Sequence, residues 1–261
     1  MRPVTSVVQR VKEVKQPRGG YINPKMLEAL FLGGDGPMPL DHTTENVSPG
    51  LVGMAVDYLA RLANGTEPQD AFSISLMGAT ALGPPEFYRA EQALENLTPG
   101  RVDEETIRLA CWLVNFDVVC RAGQQFYNPN AATAPDQTTI DHISAMVTRS
   151  LAFFDEYGPI VLDGFTFEGG YTATVQTGDG DFLTADTLWD FKVSAAPPKS
   201  DHTLQVLMYY LMGKHSIHPE LRAPTHLGIF NPRFNTAYRI AEALIPEDTI
   251  ADVERHVIGY S

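Results

Sequence analysis

Residues 178–194 read GDGDFLTADTLWDFKVS, and how this stretch pairs with itself decides the fold. An antiparallel hairpin centred between Ala185 and Asp186 sets Thr184 opposite Thr187, Leu183 opposite Leu188, Phe182 opposite Trp189 and Asp181 opposite Asp190. Side chains alternate along a strand, so Asp181, Leu183, Leu188, Asp190 and Lys192 share one side. Phe182, Trp189, Phe191 and Val193 share the other. Large apolar groups on both sides predict a hairpin covered on both faces. Asp179 and Asp186 read as ordinary turn residues, in company with Gly178 and Gly180.

Two opposed carboxylates on a covered face repel each other, and burying them unpaired costs on the order of several kcal/mol. A divalent cation offsets that repulsion, with Lys192 adding a third charge beside it. Hard carboxylate oxygens suit Mg²⁺, which binds through one or two carboxylates and keeps water and phosphate oxygens in its other positions. A lysine two residues from a ligand, on the same face, can orient an attacking water or stabilise developing charge. These residue types are the ones metal-assisted phosphodiester hydrolysis requires. The competing reading is a surface hairpin carrying a salt bridge, because Asp-x-Lys alone is common. A calcium loop fits poorly, since Leu183 stands where an oxygen ligand is needed. A glycosidase pair fits no better, because directly opposed acids leave no room for a sugar.

Outward from the hairpin, the texture differs on its two sides. Upstream, residues 5–14 (TSVVQRVKEV) partly alternate and predict a strand ending at the Pro17-Arg18-Gly19-Gly20 turn. Asn23-Pro24 opens a short helix through Met26, Leu27, Leu30 and Phe31, and Gly33 to Pro39 form a loop. From about 48 to 156 the pattern is helical. Ser48-Pro49 begins a helix that ends at Asn64-Gly65, and further helices are expected over 68–81, 84–96, 102–126 and 136–156. Beyond Tyr157-Gly158-Pro159, residues 160–193 read as successive strands. A helix over 200–214, strands near 226–231 and 236–241, and a helix near 246–257 follow. The expected fold is α+β, a mixed sheet flanked by helices, with residues 1–157 as an N-terminal arm and helical region packed on a core of residues 158–261.

Cys111 and Cys120 fall on one predicted helix, about 13 Å apart along its axis, which excludes a disulfide and predicts two buried thiols. The formal charge of −13 disfavours tight binding to phosphates. Its distribution is uneven: residues 1–25 hold six Lys or Arg against Glu13, a local +5 on a body of −18. Such an arm suits a phosphate backbone or a solvated edge. No apolar run reaches the roughly 18 residues of a spanning helix, and the first twenty residues lack the apolar stretch of a secretory signal. A cytoplasmic protein with no membrane contact is the expectation.

The run GDGDFLTADTLWDFK, followed by HTLQVLMYYLMG (residues 202–213), resembles the PD-(D/E)XK nuclease superfamily, in particular its RecB-like branch with a Gln-x-x-x-Tyr helix motif. The resemblance implies a restriction-endonuclease-like core with an N-terminal helical extension. It maps the first-strand acid to Asp181, the second acid and the lysine to Asp190 and Lys192, and the helix motif to Gln205 and Tyr209. The carbonyl of Phe191 becomes a further metal ligand. Gln205 and Tyr209, four apart, share a helix face. A Mg²⁺-dependent nuclease of bacterial or phage origin is implied, with Mn²⁺ as substitute and DNA favoured over RNA. It would act alone, with a protein partner or as a homo-oligomer. The alternative is a catalytically inactive nuclease fold serving as a nucleic-acid-binding or assembly module. The segment LGIFNPRFNTAYRI (residues 227–240) looks like a strand pair of the family, with Arg233 set for a phosphate or for the hairpin itself.

Many superfamily members add a helix glutamate, and no position here is forced; Glu168, Asp155, Glu156, Asp57 and Asp117 are the candidates. Asp57 and Asp117 lie in apolar helical stretches and read better as partners of Arg61 and Arg121. His215-x-x-His218 sits at a helix end, where the dipole favours histidine, and reads as that rather than as zinc. The chain has no P-loop, GxGxxG, nucleophile elbow or HExxH motif.

Overall fold

The computed structural model describes residues 4–34 and 36–261. Asp35, inside the loop expected at 33–39, and Arg2 of the basic arm lie outside them. In chain order the elements are α1 (Val7–Glu13), β1 (Glu28–Phe31), α2 (Pro49–Ala63), α3 (Pro68–Ala71), α4 (Ser73–Leu82), α5 (Pro84–Leu94), α6 (Glu104–Leu113) and α7 (Asp117–Arg121). The long α8 (Gln137–Tyr157) is followed by β2 (Leu162–Phe165), β3 (Gly180–Leu183), β4 (Thr187–Phe191) and α9 (Ser200–Lys214). Last come β5 (His226–Asn231), β6 (Thr236–Ala241) and α10 (Glu247–Asp252), which runs into a π-helix, Val253–Ile258. The chain divides into two compact units, Met1–Pro37 with Phe153–Ser261, and Met38–Ala152. The N-terminal arm, grouped by sequence with the helical region, is thus counted with the sheet.

In the first unit the described residues form one six-stranded mixed sheet in the order β1-β6-β5-β4-β3-β2. Only β4 and β5 run parallel, because α9 carries the chain back between them; the other neighbours are antiparallel. Hairpin pairing follows the expected register, Phe182↔Trp189 and Leu183↔Leu188, with the Thr184 N–H on the Thr187 carbonyl at 3.0 Å. The Trp189 indole N–H donates to Thr184 Oγ1 at 3.2 Å and locks the turn. One face of the sheet packs Leu183, Leu188, Leu227, Ile229 and Ile240 against α9 and α1. On the other face Phe153 stacks on Phe230 at 4.1 Å and meets Trp189 edge-on at 4.9 Å, while Phe154 lies against Phe182. Aromatic and aliphatic layers on opposite faces are why both hairpin strands are buried.

The parallel partner of Trp189 is Gly228. A Cβ there would stand 2.3 Å from two ring carbons of Trp189, so only glycine lets the indole lie across the strand. Gly228→Ala should therefore destabilise the protein by about 1–3 kcal/mol through overpacking. Urea unfolding measures it, and an unchanged midpoint would mean that the ring moves aside freely.

Three expectations change. Residues 5–14 form helix α1, not a strand: Ser6 and Gln9 make a reciprocal capping box, and Val7 and Val11 are buried one helical turn apart. Leu30 and Phe31 belong to edge strand β1 after a single 3₁₀ turn at Pro24–Met26, because β6 offers main-chain partners from Arg239 to Thr236. The helix expected over 102–126 breaks into α6, a 3₁₀ turn at Val114–Phe116, and α7. The break lies where Gly78 of α4 approaches the Phe116 carbonyl so closely that a Cβ would be 2.1 Å away. Cys111 is buried as expected, whereas Cys120, beyond the break, is exposed; both are free thiols.

In the second unit Asp117 is fully buried and accepts hydrogen bonds from the Tyr58 hydroxyl and Ser75 Oγ. Arg121 Nε stands 3.4 Å from the same carboxylate, and Arg61 pairs with Asp57 at 3.1 Å. Both acids are the arginine partners their sequence setting suggested.

Candidate active site

The site forms where β3 and β4 stop pairing as an ordinary ladder. Beyond Phe182↔Trp189 the next residues in line are Asp181 and Asp190. Here the Asp181 side chain takes over from the main chain: its Oδ2 accepts the Phe191 N–H at 2.7 Å. That bond fixes the first acid against the backbone beside the second. Asp190 is fully buried, whereas Asp181 is half-buried. β4 stays in register with β5 past its last residue, because the Lys192 N–H donates to the Phe230 carbonyl at 2.9 Å. The alternation therefore persists, and Lys192 comes out on the side of Asp190. Its Nζ lies 3.1 Å from each Asp190 oxygen, and about a quarter of the side chain remains exposed.

α9 supplies the roof. Gln205 Nε2 donates to Asp190 Oδ1 at 3.2 Å and contacts the Tyr209 hydroxyl at 3.1 Å. One side-chain amide thus ties strand acid and helix phenol together. Burial first, then the charges of Asp190 and Asp181, hold the Tyr209 phenol well above its ordinary pKa. It is a neutral hydroxyl at any physiological pH. Asp190 is bonded from α9, and Asp181, two residues from Leu183 along β3, shares that side of the sheet. The five residues singled out in the sequence are joined by these contacts and charges, while the Phe191 ring turns to the opposite face, against Phe182 and Phe230.

The loop between β2 and β3, which carries no motif of its own, closes the site from the side. Phe167 stacks on Tyr209 at 5.2 Å. The Tyr171 hydroxyl accepts from the Phe167 N–H at 3.0 Å and donates to the Gly178 carbonyl at 3.1 Å. A Cβ on Gly178 would stand 2.8 Å from Val7 and 3.2 Å from the Tyr209 ring, so the turn before β3 needs glycine to lie there. Asp179, read as a plain turn residue, is exposed yet adds to the negative field at Tyr209.

Other candidates stand elsewhere. Glu168 accepts from Thr166 Oγ1 at 2.6 Å and faces His218 at 3.3 Å, and Asp155 and Glu156 are exposed on α8. His215 faces Glu254 at 3.1 Å, so each histidine of the His215-x-x-His218 pair has its own acid. Arg233 is almost wholly buried in the β5–β6 turn, its N–H on Asn231 Oδ1 at 3.1 Å. A guanidinium so deeply buried presents nothing to a phosphate outside.

No group of three or more His, Cys, Asp or Glu side chains suited to a metal occurs among the described residues. Asp181 and Asp190 supply two carboxylates, hard oxygens, at the hairpin. That set fits Mg²⁺, which accepts one or two protein carboxylates and completes its shell with water and substrate oxygens. Comparison of the chain with protein-family models, with curated proteins and with solved structures gives no match.

Proposed function

We propose that the chain is a metal-dependent nuclease with a restriction-endonuclease-like core, hydrolysing phosphodiester bonds of DNA in preference to RNA. The observation that carries this reading is the join of Asp181, Asp190, Lys192, Gln205 and Tyr209 across two strands and a helix. Asp181, Asp190 and the Phe191 carbonyl would hold Mg²⁺ or Mn²⁺. Such an ion lowers the pKa of a bound water and offsets charge on the phosphate. Lys192, held at Asp190 and partly open to solvent, carries the ammonium that orients the water or meets developing charge. Gln205 fixes the Asp190 carboxylate, and the neutral Tyr209 keeps its proton as a donor beside it.

Incubation of the protein with single- and double-stranded DNA and with RNA, in Mn²⁺ and in Mg²⁺, tests the proposal. Cleavage of DNA that requires the metal is expected. Titration calorimetry that detects metal binding without any cleavage would favour the second reading, an inactive module for nucleic-acid binding or assembly. The observation on that side is the shortage of a third acidic ligand among the described residues.

A supporting residue gives a separate check. Gln205→Leu removes the amide that orients Asp190, and loss of such an outer partner lowers metal affinity by about 10–100-fold. Calorimetry with Mn²⁺ reads this directly; wild-type affinity in the variant would show that Asp190 needs no support from α9.

A further inference from the structure

A cavity of about 560 Å³ lies on the sheet unit, away from the two acids, lined by Gly19, Asn23, Lys25, Pro197, Ser200 and Tyr238 among others. Its volume is within the usual range of small-ligand sites. Three observations say what it suits. The first is position. Tyr238 pairs with Ile229, which pairs with Asp190, so the three form one row across β6, β5 and β4. Residues directly paired across strands point to the same face, so Tyr238 shares the face of Asp190 two strand spacings away, roughly 10 Å. Ile229, between them in the row, is fully buried, so a strand reaching both skirts it, a path of at least about three base steps at the roughly 3.4 Å rise of one nucleic-acid strand.

The second is charge. Lys25 on the wall is exposed, and so are Arg18 and Lys199, the chain neighbours of the lining residues Gly19 and Ser200. On a chain of net −13 this is a local excess of cations. Asp201, on the other side of Ser200, is exposed as well and offsets part of that excess. The third is lining. Tyr238, largely buried at 9% exposure, meets the cavity beside prolines 24, 197 and 198, and Asn23 and Ser200 add polar groups. Aromatic rings bind bases through their faces, largely without regard to sequence.

We infer that this cavity is a nucleotide subsite that seats one base and its phosphate from the strand cut at Asp190, the base against Tyr238 and the phosphate at Lys25. The inference rests on the nuclease reading and adds a place for the substrate strand on the β6 side. It assigns a function to the basic arm, whose Lys25 and Arg18 stand at the rim.

Fluorescence anisotropy of a labelled deoxythymidine decamer, with the full chain in EDTA, measures binding without cleavage. Lys25→Glu and Tyr238→Leu should each weaken binding at least tenfold, whereas Lys12→Glu, on the exposed side of α1, should change it less than twofold. Lys25 is exposed, so its replacement leaves folding intact and keeps the test decisive if Tyr238→Leu unfolds. Binding that depends on Lys25 without any metal-dependent cleavage would uphold the subsite and sink the nuclease. Asp190-dependent cleavage with wild-type binding by Lys25→Glu would overturn the subsite and leave the nuclease standing.

Discussion

Asp190→Ala should lower metal-dependent cleavage of DNA on the order of 10³-fold, and Lys192→Ala by about 10²–10⁴-fold. Asp190 is the buried hub of the site: Lys192 Nζ stands 3.1 Å from both its oxygens and Gln205 donates to one of them. Removing the carboxylate takes away the proposed metal ligand and the anchor of the ammonium together, so the two losses do not add as independent effects. Lys192→Ala removes the ammonium alone. Metal affinity separates them: it should collapse in Asp190→Ala and persist in Lys192→Ala. Asp190→Ala also leaves a lysine and an amide facing an empty carboxylate position, so its melting temperature belongs beside the activity. Equal cleavage by wild type and both variants would move the activity to another protein or another site.

Asp117→Ala should destabilise the helical unit by roughly 3–5 kcal/mol, the usual cost of removing one partner from a buried polar network. Tyr58, Ser75 and Arg121 all converge on this carboxylate from three different elements. Without it a buried phenol and a buried hydroxyl lose their acceptor. Burial raises the Asp117 pKa in the folded protein, against the lowering by Ser75, Tyr58 and Arg121. A folded-state pKa above the unfolded value of about 3.9 means that the native state binds more protons just above that pH. The contribution of Asp117 is therefore most favourable below about pH 3.9 and declines as pH rises toward its folded pKa. Asp117→Asn should remove this slope. Hydrogen exchange across residues 38–152, followed from pH 4 to pH 7, reads both effects; an Ala variant exchanging as slowly as wild type would show the network to be dispensable.

The hairpin was legible because its information is local. A short polar turn leaves the register that pairs Phe182 with Trp189 and Leu183 with Leu188, and a slip by one residue would turn every side chain to the opposite face. α9, β5 and β6 also lie where the sequence pattern puts them. α1 was misread although its cue was present: Ser6 and Gln9 stand at capping-box spacing, but valines interleaved with charges mimic a strand. β1 could not be read locally, since Glu28–Phe31 becomes a strand only through the edge that β6 presents. The bearing of Asp179, read only as a turn residue, and of Phe167 and Tyr171 on Tyr209 was hidden for the same reason, because it depends on a loop closing over α9.

By itself, the order of residues determined which side chains share a face: two acids and a lysine on one side of a hairpin, a glutamine and a tyrosine on one side of a helix. Periodicity is a property of the backbone, so it needs no long-range contact. Only the folded chain decided that those two faces meet. It also decided that the Asp181 carboxylate replaces a main-chain acceptor at Phe191, and that Tyr238 falls in the row of Asp190. Those outcomes depend on strand order and on the packing of α9 over the sheet, which close contacts between residues far apart in sequence.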